Sequence, residues 1–178
     1  HISDNTLKSM KRGTTEAKTY ELVNRFREKV PGIALRTTLI AGYPGETEAD
    51  HEAMLRFVEK ARFDRLGIFT YSHEENTSAY ALNDDVPEEV KQQRAEAVMA
   101  LQQEVSEDIN SRKVGNTYKV LFDRKEGDYF VGRTEFDSPE VDNEVLVSAK
   151  DTYIRIGDFA PVKITSTAAF DLYGEVVG

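Results

Sequence analysis

The chain has 178 residues, enough for one large domain or two small ones, and 39% of them are hydrophobic, enough for a core. It contains no cysteine, which excludes disulfides and thiolate metal sites within these residues, and its three histidines (His1, His51, His73) lack zinc-ligand spacing. The net charge of −9 speaks against general phosphate-backbone binding and suits a basic partner, and no apolar run approaches the roughly 18 residues of a membrane span.

The chain begins abruptly at His1, without an initiator Met, as though a strand ended just upstream. Ser3 or Asp4 can cap a short helix through Met10, closed by Lys11-Arg12-Gly13. Tyr20, Val23, Phe26 and Val30 recur at helical spacing, and Pro31-Gly32 ends that second helix. Residues 33–41 are β-branched and aliphatic and read as a strand. Gly42-Tyr43-Pro44-Gly45 then marks a turn, and Thr47 with Asp50 three places on predicts a capping box. The helix behind it, residues 48–61, buries Met54, Leu55, Val58 and Ala61. A second strand covers residues 65–71. Short connections between alternating helices and strands predict parallel strands with right-handed crossovers. Both strands then end on one rim, where α/β proteins hold their ligands. The turn is not a P-loop, because no Lys-Ser/Thr follows Gly45.

Asp85 and Glu88, with Pro87 between, predict the start of the longest helix, whose stripe is Val90, Val98, Leu101, Val105 and Ile109. It is expected to stop at Lys113-Val114-Gly115. After Gly115 the apolar period changes from 3.6 to 2. TYKVLF, YFVGRTEF, EVLVSA, APVKITSTAAF and LYGEVV read as five short strands, and five in so few residues predict a small closed OB-like barrel. The domain boundary is placed at Gly115, giving domains 1–114 and 115–178. The second carries 7 basic and 12 acidic residues, a net −5. The fold class expected is α/β plus all-β: a partial parallel α/β barrel followed by a small antiparallel β-barrel.

Several stretches together resemble one family, the radical-SAM methylthiotransferases. They are HISDNTLKSMKRG (residues 1–13), TLIAGYPGETEAD (38–50), YSHEENTSA (71–79), the PEEVKQQR helix and the C-terminal barrel, which resembles a TRAM domain. The resemblance implies the last strands of a radical-SAM (β/α) barrel plus TRAM. It implies S-adenosylmethionine as cofactor, and 4Fe-4S clusters in the full-length protein whose ligands are not in this chain, so no metal ligand and no catalytic residue is expected here and the fragment alone should be inactive. The run TEFDSPEVDNEV (residues 134–145) is similar to the branch that modifies an aspartate of the twelfth small-subunit ribosomal protein, although Asn143 stands where glycine is more usual. A cytoplasmic protein with that basic ribosomal protein as partner is therefore expected. The alternatives are the tRNA-adenosine branch and a non-catalytic acidic module that binds RNA or protein.

Alternation along the first strand puts Arg36, Thr38 and Ile40 on one face. Arg36 can pair either with the methionyl carboxylate of S-adenosylmethionine or with a nearby Asp or Glu. Ile40 and Gly42 resemble the family's adenine-contacting GxIxGxxE pattern, but Thr38 replaces its first glycine and Glu46 falls one place late. Glu46 can equally belong to a helix N-terminus. Tyr71 ends the second strand, so the expected cofactor-binding residues are Arg36, Thr38, Ile40, Gly42 and Tyr71. Phe136, Glu140 and Asp142 are the expected substrate contacts, with turn formation as the competing role. An incomplete barrel should also leave an open sheet edge and self-associate.

Overall fold

The computed structural model describes residues 1–139, 141–150 and 152–178. They form two compact units, His1–Val105 and Ser106–Gly178.

In the first unit, α1 (Asp4–Ser9) and α2 (Glu16–Lys29) precede β1 (Arg36–Ala41), α3 (Glu48–Ala61) and β2 (Arg65–Thr70). A 3-10 turn (Ser78–Ala81) and most of α4 (Glu88–Ser111) follow. β1 and β2 pair in parallel, Arg36 opposite Arg65 and Ala41 opposite Thr70, as the short crossover predicts. Among the described residues each pairs with no other strand. One face of β1 lies in the core, with Leu39 and Ala41 packed against Met54, Phe57 and Val58 of α3 and Ala95 and Val98 of α4. The Arg36–Thr38–Ile40 face is the more open one.

The expected capping box at α3 is present: Thr47 accepts from Asp50 N–H, and Asp50 accepts from Thr47 N–H. Other expected caps differ. Ser3 sits at the N-cap of α1, but its hydroxyl donates to the Asp50 carboxylate and leaves the helix uncapped by it. Asp85 accepts the Gly45 N–H at 2.7 Å, so its carboxylate is drawn to the turn after β1 and the helix begins at Glu88. β1 starts at Arg36 because the flanking Leu35 pairs with Asp64 instead, donating to its carboxylate and accepting its N–H.

The second unit contains the last turn of α4 and a closed barrel of five strands, β3 (Thr117–Glu126), β4 (Tyr129–Arg133), β5 (Val145–Ser148), β6 (Phe159–Thr167) and β7 (Leu172–Val176). The order around the barrel is β3-β4-β5-β7-β6, with β5 and β7 parallel and every other pair antiparallel. Val120, Phe122, Phe130, Val145, Val162, Ile164 and Leu172 fill it. Bulges after Phe122 and Ile164 raise the local twist, which lets so few strands close. Gly132 and Gly174 lie where neighbouring strands press together, since a Cβ there would come within 2.5 Å of Leu121 O or Val162 Cγ1. β4 stops at Arg133 rather than continuing to Phe136: Thr134 hydrogen-bonds Asp137 and bends the chain out of the sheet. Among the described residues, no helix is long and apolar enough to cross a membrane.

Candidate functional site

The carboxyl rim of β1 and β2 is built around a buried carboxylate. Glu46, whose side chain is fully enclosed, accepts from Gly42 N–H at 2.9 Å and from Arg94 Nη1 at 2.9 Å. His1 completes the set at 3.2 Å. The His1 Nδ1 accepts the backbone N–H groups of Ile2 and Ser3, so the proton sits on Nε2 and is donated to Glu46. Burial alone would raise the Glu46 pKa. The hydrogen bond from His1, the Arg94 charge and the Gly42 N–H outweigh it and hold the carboxyl below its ordinary value. Beside this group lies His51, buried on α3, and burial pushes its pKa down. His51 Nδ1 and Arg94 Nε have no hydrogen-bond partner among the described residues.

On the other side of Gly42 lies Lys91, which is 3% exposed. Its Nζ donates to Asp84 at 2.8 Å and to Tyr71 O at 3.3 Å, and sits over the Tyr71 ring. Desolvation opposes the Lys91 charge, but the bonds to Asp84 and Glu88 outweigh it and raise the pKa. Tyr71 packs edge-on against Tyr43, and its hydroxyl lies 3.3 Å from His73 Nδ1. Burial, then the Asp84 charge, raises the Tyr71 pKa. His73 itself is exposed and stacks on Tyr80.

Gly42 and Tyr71 therefore meet at the rim, bridged by Lys91. Arg36, Thr38 and Ile40 instead line an open cleft of about 340 Å³ along β1, together with Thr37 and Leu39 of the same strand and with Leu7, Met10 and Arg12. That volume lies within the range of small-molecule sites. Arg36 and Gly42 are six residue steps apart, about 20 Å at strand rise, so one small ligand does not span both ends.

The sequence reading missed Lys91, Arg94 and His1. A signal was present for Lys91: it falls with Ala95, Val98 and Gln102 on one helix face, and a cation on a core-facing stripe calls for a buried partner.

In the second unit, residues 134–139 and 141–144 are held by hydrogen bonds among themselves and to Asn110 and Arg124. Thr134 donates to Asp137 Oδ2 at 2.5 Å, and Asp142 Oδ2 accepts Ser138 N–H at 2.8 Å. Asn143 donates to Asn110 Oδ1 at 3.2 Å, and Glu144 takes a forked pair from Arg124 at 2.8 and 3.0 Å. Asp142 thus closes a turn. Phe136, at 45%, and Val141, at 64%, are exposed. Glu140 lies outside the described residues. The sequence of residues 134–144 carries five acids and no Lys or Arg. Among the described residues, no cluster of His, Asp or Glu could hold a metal ion.

Residues 114–177 match the family model of the TRAM domain. The chain is 60% identical over 177 residues to the ribosomal protein uS12 methylthiotransferase RimO of Cytophaga hutchinsonii, covering 99% of this chain and 40% of that protein. It is 59% identical to RimO of Flavobacterium johnsoniae (98% of this chain, 40% of that protein) and 54% identical to RimO of Phocaeicola vulgatus (99% and 41%). The chain thus resembles the RimO branch of the radical-SAM methylthiotransferases over nearly its whole length, and spans about two fifths of the length of these curated relatives.

Proposed function

We propose that this chain serves as part of a RimO-type methylthiotransferase, which places a methylthio group on an aspartate of a ribosomal protein in the cytoplasm. The observation that carries this reading is the 60% identity over 99% of the chain to a RimO protein. The first unit supplies part of the wall that holds S-adenosylmethionine, and the TRAM barrel engages the protein substrate.

The residues present suit that cofactor. Arg36 offers a fork for a carboxylate, and Ile40 and Met10 offer apolar surface to an adenine in the cleft along β1. Thr38 lies between them on the same face. Gly42 and Tyr71 shape the rim. When bound beside a reduced iron–sulfur cluster, S-adenosylmethionine supplies radical chemistry and a methyl group. This chain contains no cysteine, so ligands for such a cluster would come from outside these residues. What this chain contributes is a rim whose charged groups are already paired, so binding need not reorganise them.

For the substrate, Phe136 is an exposed apolar contact within an acidic stretch of sequence, of whose five acids Glu140 and Asp142 are the proposed contacts. A basic ribosomal protein suits that field, and tRNA phosphates do not. The test uses the full-length protein, reconstituted without oxygen with iron and sulfide, then given S-adenosylmethionine and either uS12 or tRNA. Mass spectrometry should find one added methylthio group on uS12. Modification of tRNA adenosine with none on uS12 would overturn the reading.

A further inference from the structure

We propose that Glu46 is a positioning residue: one buried carboxylate pins the Gly42 turn, the segment entering at His1 and helix α4 into the arrangement that receives S-adenosylmethionine. This deepens the function proposed above and rests on it. Both carboxylate oxygens are engaged, Oε1 by Arg94 and Oε2 by Gly42 N–H and His1 Nε2. The Glu46 backbone carbonyl takes a second bond from Arg94 Nη1 at 3.1 Å. With its side chain fully enclosed, Glu46 has no face to offer an adenine, so it acts on a ligand through the backbone it holds.

That backbone needs holding. Gly42 has φ +74°, a left-handed conformation, and bends the chain between the end of β1 and the Tyr43–Glu46 turn. Lys91 blocks it from one side, and Glu46 draws its N–H from the other. The same carboxylate fixes His1, whose Nδ1 orients the first two N–H groups entering α1. The cleft along β1 has His1 among its lining residues, so its wall and the rim share this anchor.

The test compares wild-type and Glu46→Gln full-length protein by amide hydrogen exchange and by titration with S-adenosylmethionine. In the variant, exchange should rise locally at Gly42, Ile2 and Ser3, while the core of α3 stays protected. Affinity for S-adenosylmethionine should fall about tenfold, the scale of one displaced contact. Arg94→Lys keeps the charge but loses the fork, and should show the same local pattern with a smaller loss of affinity, which keeps the test open if Glu46→Gln fails to fold. Lower affinity with Gly42 exchange unchanged would indicate direct ligand contact and overturn the inference, as would unchanged exchange and affinity in both variants. Wild-type protein that binds no S-adenosylmethionine would overturn the proposed function and the ligand half of this inference, while the exchange at Gly42 separately supports or overturns the anchoring half.

Discussion

Lys91 lies across Gly42 so closely that a Cβ on the glycine would stand 2.1 Å from Lys91 Cγ. The glycine is therefore required twice, for its positive φ and for the space its missing side chain leaves. Gly42→Ala should destabilise the first unit by roughly 2–4 kcal/mol, the sum of left-handed strain and overpacking. Gly45, also at positive φ but with open space around it, should lose less on the same change. Paired thermal melts of the two variants check the order, and equal losses would remove the role given to Lys91.

Stability should fall with acid in two windows. The His51 pKa is lowered by burial, so its contribution is complete above its unfolded value near 6.5 and is lost as pH drops below it. The Glu46 carboxyl is also held low, so its contribution is complete above about 4.5 and is lost only as pH falls further. Replacing His51 with Asn should flatten the melting temperature just below about pH 6.5 and leave the slope that sets in below about 4.5 in place. A slope that survives there would mean that other groups set it.

A barrel fragment should depend on where it is cut. Asn110 is fully buried, donates to Ala169 O at 3.0 Å and accepts from Asn143. A fragment of residues 106–178 retains these bonds, whereas residues 115–178 leave Asn143 and the Ala169 carbonyl without that partner. The shorter piece should be less stable by about 2 kcal/mol, or roughly 10 °C in melting temperature for a domain of this size. Matching melts would place the boundary at Gly115, where the sequence period changes.

Partner choice should follow charge. The barrel should bind basic uS12 more tightly than tRNA at equal salt, and the preference should shrink as salt screens exposed charges beyond about 8 Å. Phe136→Ala should weaken uS12 binding by several-fold without moving the melt, because that ring is already exposed. Asp142→Asn should loosen the turn as well, since its carboxylate holds Ser138 N–H. Titrations at two salt concentrations separate these effects, and tight tRNA binding by the wild-type barrel would favour the tRNA-modifying branch.

Among the described residues β1 and β2 pair only with each other, which leaves strand edges open as templates. The 178-residue chain should therefore associate as its concentration rises. Sedimentation showing a monomer at every concentration would refute this.

Periodicity and turn chemistry alone determined much of this protein. Strand β1, its glycine turn, the Thr47–Asp50 box and the change to period 2 after Gly115 are local patterns, and local patterns are what a sequence displays. The five-stranded barrel followed from counting short strands between turn residues. Tertiary structure alone decided the rest. That Asp85 reaches Gly45, that Ser3 reaches Asp50, and that Arg94 crosses 48 positions to Glu46 are long-range pairings with no trace in spacing. The bulges after Phe122 and Ile164 arise from closing the barrel, which no single strand specifies. Apart from Lys91, whose place on an apolar helix face is visible in the spacing, the charged residues buried at the rim read in sequence as solvated ones, because the cost of burying them is met only by partners that the fold brings from elsewhere in the chain.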